Sequence, residues 1–137
     1  MATNLDAALT TSASAMDAQT LRLRVIAENL ANQDSTGSGP GAEPYRRKTV
    51  SFATAIDKAS GAETVTIKSV GRDNGELPKR YDPSHPAADS KGYVKLPNVE
   101  SFVEMMDMRE AERSYNANLQ VMRSTRGMLN RTLEILK

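Results

Sequence analysis

The sequence predicts a mainly α fold with a small β-rich insert, in which the N- and C-terminal helices pair as an elongated coiled coil. Three observations carry that prediction. Apolar residues recur at heptad spacing near both ends, and a polar stretch rich in Gly and Pro separates them. Large apolar side chains are also scarce: of 137 residues, two are Phe, four are Tyr and none is Trp. A stripe this narrow suits a helix–helix seam rather than one wall of a broad core. So few aromatic groups leave little material for a large globular interior. The chain therefore divides into a first helix (1–34), an irregular insert (35–98) and a second helix (99–137).

Stepping by four and three through the first segment picks out Leu5, Leu9, Ser12, Met16, Gln19, Leu23, Ile26 and Leu30. This predicts a helix from near Leu5 to Asn32, about 40 Å long. The run Gln33-Asp34-Ser35-Thr36-Gly37-Ser38-Gly39-Pro40-Gly41 ends it, because turn formers and φ-permissive residues cannot continue a helix. Thr10, Thr11, Ser12 and Ser14 are poor helix formers in isolation, so the first third is expected to fray unless packed.

In the insert, Tyr45–Phe52, Glu63–Val70 and Gly92–Leu96 read as short strands, and Phe52–Ala59 admits a short helix. Asp73-Asn74-Gly75 reads as a turn, while Pro78, Pro83, Pro86 and Pro97 exclude a central strand nearby.

The second helix is expected to start after Pro97, with Asn98 or Ser101 as N-cap, and to run to the end over about 55 Å. The same stepping gives Met105, Met108, Glu112, Tyr115, Leu119, Met122, Arg126, Leu129, Leu133 and Leu136. Acids crowd its start (Glu100, Glu104, Asp107, Glu110, Glu112) and bases its end (Arg123, Arg126, Arg131, Lys137), matching the helix dipole. The predicted intramolecular seam sets Leu9, Met16, Leu23, Ile26 and Leu30 against Met108, Tyr115, Leu119, Met122, Leu129, Leu133 and Leu136.

That phase leaves apolar residues on the outside: Leu21 and Val25 on the first helix, Val121, Met128 and Ile135 on the second. Full burial of an aliphatic side chain gains roughly 1.5–3 kcal/mol over exposure, so these five read as a subunit interface. The alternative is that the seam phase is shifted and a broader stripe covers the insert.

Catalytic chemistry finds little support. Cysteine is absent, which removes disulfides and thiolate sites. The lone histidine, His85, sits in Asp82-Pro83-Ser84-His85-Pro86, where a turn role outweighs a metal or acid–base role. The Gly-rich run at 37–41 lacks the Lys-Ser/Thr ending of a phosphate loop. No catalytic residue, metal, cofactor or small-molecule ligand is expected. Net charge is +1, and residues 35–98, the most basic segment, carry ten bases against seven acids, too few to indicate nucleic acid. Arg46, Arg47 and Lys48 read as a solvated strand or loop edge. Met105, Met106, Met108 and Met122 read as adaptable packing. No basic leader, apolar signal run or bilayer-length segment is visible, so export, if it occurs, is expected to proceed without a cleaved signal.

Three motifs in order resemble the axial proteins of the bacterial flagellum. The first is Gln19-Thr20-Leu21-Arg22-Leu23 followed by Ala27-Glu28-Asn29-Leu30-Ala31-Asn32. The second and most specific is Tyr81-Asp82-Pro83, His85-Pro86, Ala88-Asp89 and then Gly92-Tyr93-Val94-Lys95-Leu96-Pro97-Asn98-Val99, which is similar to the proximal-rod branch. The third is Glu104-Met105-Met106 with Arg113-Ser114-Tyr115-Asn116-Ala117-Asn118. The connection from Asn32 through Asp34-Ser35 to Pro44-Tyr45-Arg46-Arg47-Lys48 also fits, whereas residues 53–80 carry no motif.

The resemblance implies a non-enzymatic rod subunit that assembles helically in the periplasm and transmits torque from motor to hook. Its implied partners are other proximal and distal rod proteins, copies of itself, the adaptor between export gate and MS ring, and the flagellar type III export apparatus in transit. Rival readings are another rod or hook-junction protein, or a cytoplasmic coiled-coil adaptor or export chaperone, which would form a defined soluble dimer.

Overall fold

A computed structural model describes residues 4–136. Along the chain lie helix α1 (Asn4–Ala31), strands β1 (Lys48–Ile56), β2 (Glu63–Arg72), β3 (Lys79–Tyr81) and β4 (Tyr93–Lys95), and helix α2 (Ser101–Ile135). The strands form two separate two-stranded sheets, β1 with β2 and β3 with β4. The fold is thus mainly helical with a small β insert, and it divides into two compact units. No helix among the described residues is long and apolar enough to cross a membrane.

The first unit comprises the chain up to Leu23, Val50–Ser69, and the chain from Arg109 onward. Among the described residues its buried ones are all small: Ser12, Ala18, Ala62, Ala111 and Thr125. Leu9, Met16, Leu23, Tyr115, Leu119, Met122 and Leu129 are only half-buried. Burial in this unit thus goes to small side chains, and the large apolar ones are only partly covered. The buried positions of α2 are Glu104, Ala111 and Thr125, whereas Met105, Glu112 and Arg126 are exposed.

Phe52–Ile56 belongs to β1, not to the short helix that the sequence admitted. Strand pairing outweighs local propensity here. The Asp57 N–H donates to the Ala62 carbonyl at 2.8 Å, and the Thr64 and Thr66 hydroxyls donate to the Ala55 and Ala53 carbonyls at 2.9 and 3.3 Å. In the connecting loop the Asp57 carboxylate accepts from the Ser60 hydroxyl and N–H at 2.5 and 2.9 Å, which holds its pKa below the ordinary value. Gly61 then turns the chain at φ 70°, a conformation that side chains disfavour.

The weak helix formers of α1 have a use in this unit. The Thr11 hydroxyl donates to the Glu63 carbonyl at 2.7 Å, and Ser14 Oγ accepts from the Val65 N–H at 3.1 Å, so α1 ties down the start of β2.

The second unit comprises Arg24–Thr49 and Val70–Met108. Its apolar core is Val25, Ile26, Leu77, Ala87 and Val94. β3 pairs antiparallel with β4 in the register Lys79↔Lys95, Arg80↔Val94 and Tyr81↔Tyr93. Three residues after Pro78 were too short a run for the sequence to mark β3. Neither expected N-cap caps α2. The Asn98 side chain accepts from the Arg47 N–H at 2.8 Å and donates to the Asp73 carbonyl at 3.1 Å. Ser101 lies inside the helix, its hydroxyl bonded to Gln33 Oε1, and the Glu100 carbonyl accepts the first helical bond, from Glu104.

Candidate assembly interface

The second unit is held by a buried polar clasp centred on Asn29, 1% exposed. Its Nδ2 donates to the Lys48 carbonyl at 3.0 Å and to Glu104 Oε2 at 3.1 Å. Its Oδ1 accepts from the Lys48 N–H and the Tyr45 hydroxyl, both at 2.8 Å. One amide thus meets both backbone groups of the first β1 residue, as a neighbouring strand would, and its four hydrogen-bonding positions are filled.

Arg46, Arg47 and Lys48 are not the solvated edge expected from their sequence. The Arg46 guanidinium pairs with Glu43 at 3.0 Å and Lys48 Nζ with Glu28 at 2.6 Å. Arg47 pairs with Glu104, whose side chain is 0% exposed, and with Asp107 at 3.3 Å. Burial acts to lower the Arg47 pKa, but the Glu104 hydrogen bond and the surrounding acids raise it overall. The Glu28 hydrogen bond raises Lys48, while burial raises the Tyr45 hydroxyl. The sequence showed the three bases but not their acids, which lie up to 60 residues away in the chain.

The proline-bounded motif folds into a loop closed by β3 and β4. Tyr81 and Tyr93 meet edge to face with ring centroids 5.3 Å apart. His85 serves the turn through Nδ1, which accepts from the Ala87 N–H at 3.0 Å. Pro83 and Pro86 are exposed, whereas Val94 and Pro97 are buried. Among the described residues no group of three or more His, Cys, Asp or Glu side chains could hold a metal ion.

Gly92 has φ 83°, and a Cβ there would lie 3.0 Å from Tyr81 Cε2 and 3.1 Å from Pro83 Cγ. Gly92→Ala is therefore expected to cost about 1–3 kcal/mol in urea unfolding. Asp89 Oδ1 accepts from the N–H groups of Lys91 and Tyr93 at 2.8 and 3.0 Å. The Tyr93 bond is the main cause of its lowered pKa. A carboxyl held low stabilises the fold above its unfolded pKa and loses that contribution as pH falls through the folded value. Asp89→Ala should therefore unfold at lower urea than the parent at neutral pH, with the gap closing below about pH 4.

Of the outer apolar set, Val121, Met128 and Ile135 are 48, 51 and 84% exposed. Leu21 is half-buried, and Val25, expected to face outward, is 5% exposed. Its stretch of α1 bonds to β1 and α2 together through Asn29, so it buries a wider arc than a helix with one partner. Leu133 and Leu136, expected in the seam, are exposed, as are Phe102, Val103, Met105 and Met106. On the remaining motif positions, Leu30, Tyr115 and Asn118 are half-buried, while Ala31, Arg113 and Ala117 are exposed. Asn32 Nδ2 bonds back to the Glu28 carbonyl at 2.8 Å, closing α1.

A polar-clasped insert and a long helix carrying exposed apolar side chains are the marks of a structural assembly protein. Family models agree at both ends: residues 9–37 match the flagella basal body rod protein model, and residues 90–135 match the C-terminal model of the flagellar basal body rod FlgEFG proteins. The flagellar basal-body rod protein FlgC of Agrobacterium fabrum is 52% identical over 133 residues, covering 97% of this chain and 96% of the relative. FlgC of Salmonella typhimurium is 42% identical (89 and 90% covered), and that of Bacillus subtilis 38% (94 and 96%). The chain belongs to the FlgC family of flagellar basal-body rod proteins.

Proposed function

We propose that this chain is a non-enzymatic structural subunit of the bacterial flagellar basal-body rod, in its proximal part, assembling helically to transmit torque from motor to hook. The observation that carries this reading beyond family membership is the exposed apolar row Val121, Met128 and Ile135 on α2, which the chain itself does not cover. A helical tube needs contacts between unlike surfaces that do not close into a ring, and such a row can supply one side of them. Its partners on this reading are copies of itself, other proximal and distal rod proteins, and the adaptor between export gate and MS ring. It reaches the periplasm through the type III apparatus.

The terminal helices pair on this reading as an antiparallel coiled coil. In one unit Gln19 bonds Ser114 at 3.4 Å and Arg22 pairs with Glu110 at 3.3 Å. In the other, Asn29 bonds Glu104 at 3.1 Å and Gln33 bonds Ser101. In each, the α2 number falls as the α1 number rises, which supports antiparallel pairing. The test is electron microscopy of basal bodies from a strain lacking the gene. No rod should extend to the hook, and the gene in trans should restore it; an intact rod without the gene would overturn the proposal.

A further inference from the structure

The feature that the clasp and the outer row leave unused lies in the first unit. Ala15 and Gln19 of α1, Phe52 and Ala53 of β1, Val65 of β2 and Ser114 of α2 wall an open groove of about 620 Å³. Its lining is mainly apolar, and Phe52 remains 37% exposed. The Gln19 amide nitrogen donates to Ser114 Oγ at 3.4 Å, but its oxygen is buried without a hydrogen-bond partner. A buried acceptor left unsatisfied is costly, so the groove suits an occupant that brings apolar side chains and a hydrogen-bond donor.

The chain carries such an occupant at its other end. Met128, Leu133, Ile135 and Leu136 are all more than half exposed. At 100° per residue, Leu133 and Ile135 point to nearly opposite sides of the helix, so this end carries apolar side chains on two sides, among the polar Asn130, Arg131, Thr132 and Glu134. A helix buried on one side only has no use for that. Asn130 and Arg131, also exposed, add N–H donors on the same turns.

We propose that the end of α2 of one copy seats in this groove of a second copy. Leu133 or Ile135 covers Phe52 and Val65, and Asn130 or Arg131 donates to Gln19 Oε1. The contact joins unlike surfaces, so every copy presents a free end and a free groove to the next, and the chain of contacts stays open. The inference rests on the rod-subunit reading and gives it a partner, a second copy of this chain, and a place of contact.

The absence of cysteine makes the test direct, since an introduced pair supplies the only thiols. Ala53→Cys with Ile135→Cys, as sole gene copy, is oxidised in motile cells, and isolated basal bodies are run on a non-reducing gel. The double variant should give a ladder of dimers and higher multimers, and each single variant only monomer. If the double variant impairs motility, Thr54→Cys with Leu133→Cys is read in the same way. Monomer alone in assembled basal bodies, a band that stops at the dimer, or cross-linking only to a different protein would each overturn the inference. Absence of the unsubstituted chain from wild-type basal bodies would overturn the rod-subunit reading instead.

Discussion

Replacing Arg47 with Met is expected to cost about 3–5 kcal/mol of folding free energy, because it leaves the buried Glu104 carboxylate without its cation. Asn29 still donates one hydrogen bond to that carboxylate, but a neutral amide does not offset a full charge. Methionine preserves most of the stem's volume, so the loss reports the ion pair rather than a cavity. Against a total stability of about 5–15 kcal/mol, this removes from about a fifth to all of the margin. Urea unfolding followed by circular dichroism measures the loss directly. A midpoint shift equivalent to less than about 1 kcal/mol would mean that Asn29 and water suffice to satisfy the Glu104 carboxylate. Lys at this position should recover only part of the stability, since it cannot bridge Glu104 and Asp107 as a planar fork does.

The largest functional effect is expected from Val121→Lys combined with Met128→Lys. Both side chains are about half exposed in the single chain, and substitutions at such positions are usually within about 0.5 kcal/mol of neutral. Lysine is also a good helix former, so the far-ultraviolet spectrum and urea midpoint should match the parent. Swimming motility and recovery of the chain in basal bodies should nevertheless be lost, because two ammonium groups cannot be buried in an apolar contact. Normal motility would remove this row from the assembly surface. Loss of helicity together with motility would show that the row supports the fold instead.

The sequence was most legible where pattern and punctuation agree. Both long helices emerged within a residue or two of their bounds: the Gly- and Ser-rich run after Asn32 stops α1, and Pro97 delays the start of α2. Glu63–Val70 and Gly92–Leu96 were found as strands from β-branched residues between breakers. The hairpin partner of β2 was only half found. Phe52–Ile56 has no strong local preference, and its conformation is decided by pairing across the Asp57–Ala62 loop. The physical cause of the motifs around Asn29 and Gly92 lies in contacts distant in sequence. Asn29 is there to bond both backbone groups of Lys48, and Gly92 to pass Tyr81 and Pro83 with φ 83°.

By itself the sequence determined that this is a two-helix protein with a small polar insert, without cysteine, and with apolar residues on more than one side of its second helix. Those properties depend on neighbours a few residues apart, which periodicity records. Only the tertiary structure decided which side of each helix is buried. Val25 faces inward, and the centre of α2 runs through Glu104, Ala111 and Thr125. The reason is that burial on α2 goes to small side chains and to a paired charge rather than to the most hydrophobic residues. An alanine, a threonine and a glutamate neutralised by a distant arginine are invisible to a count of apolar residues.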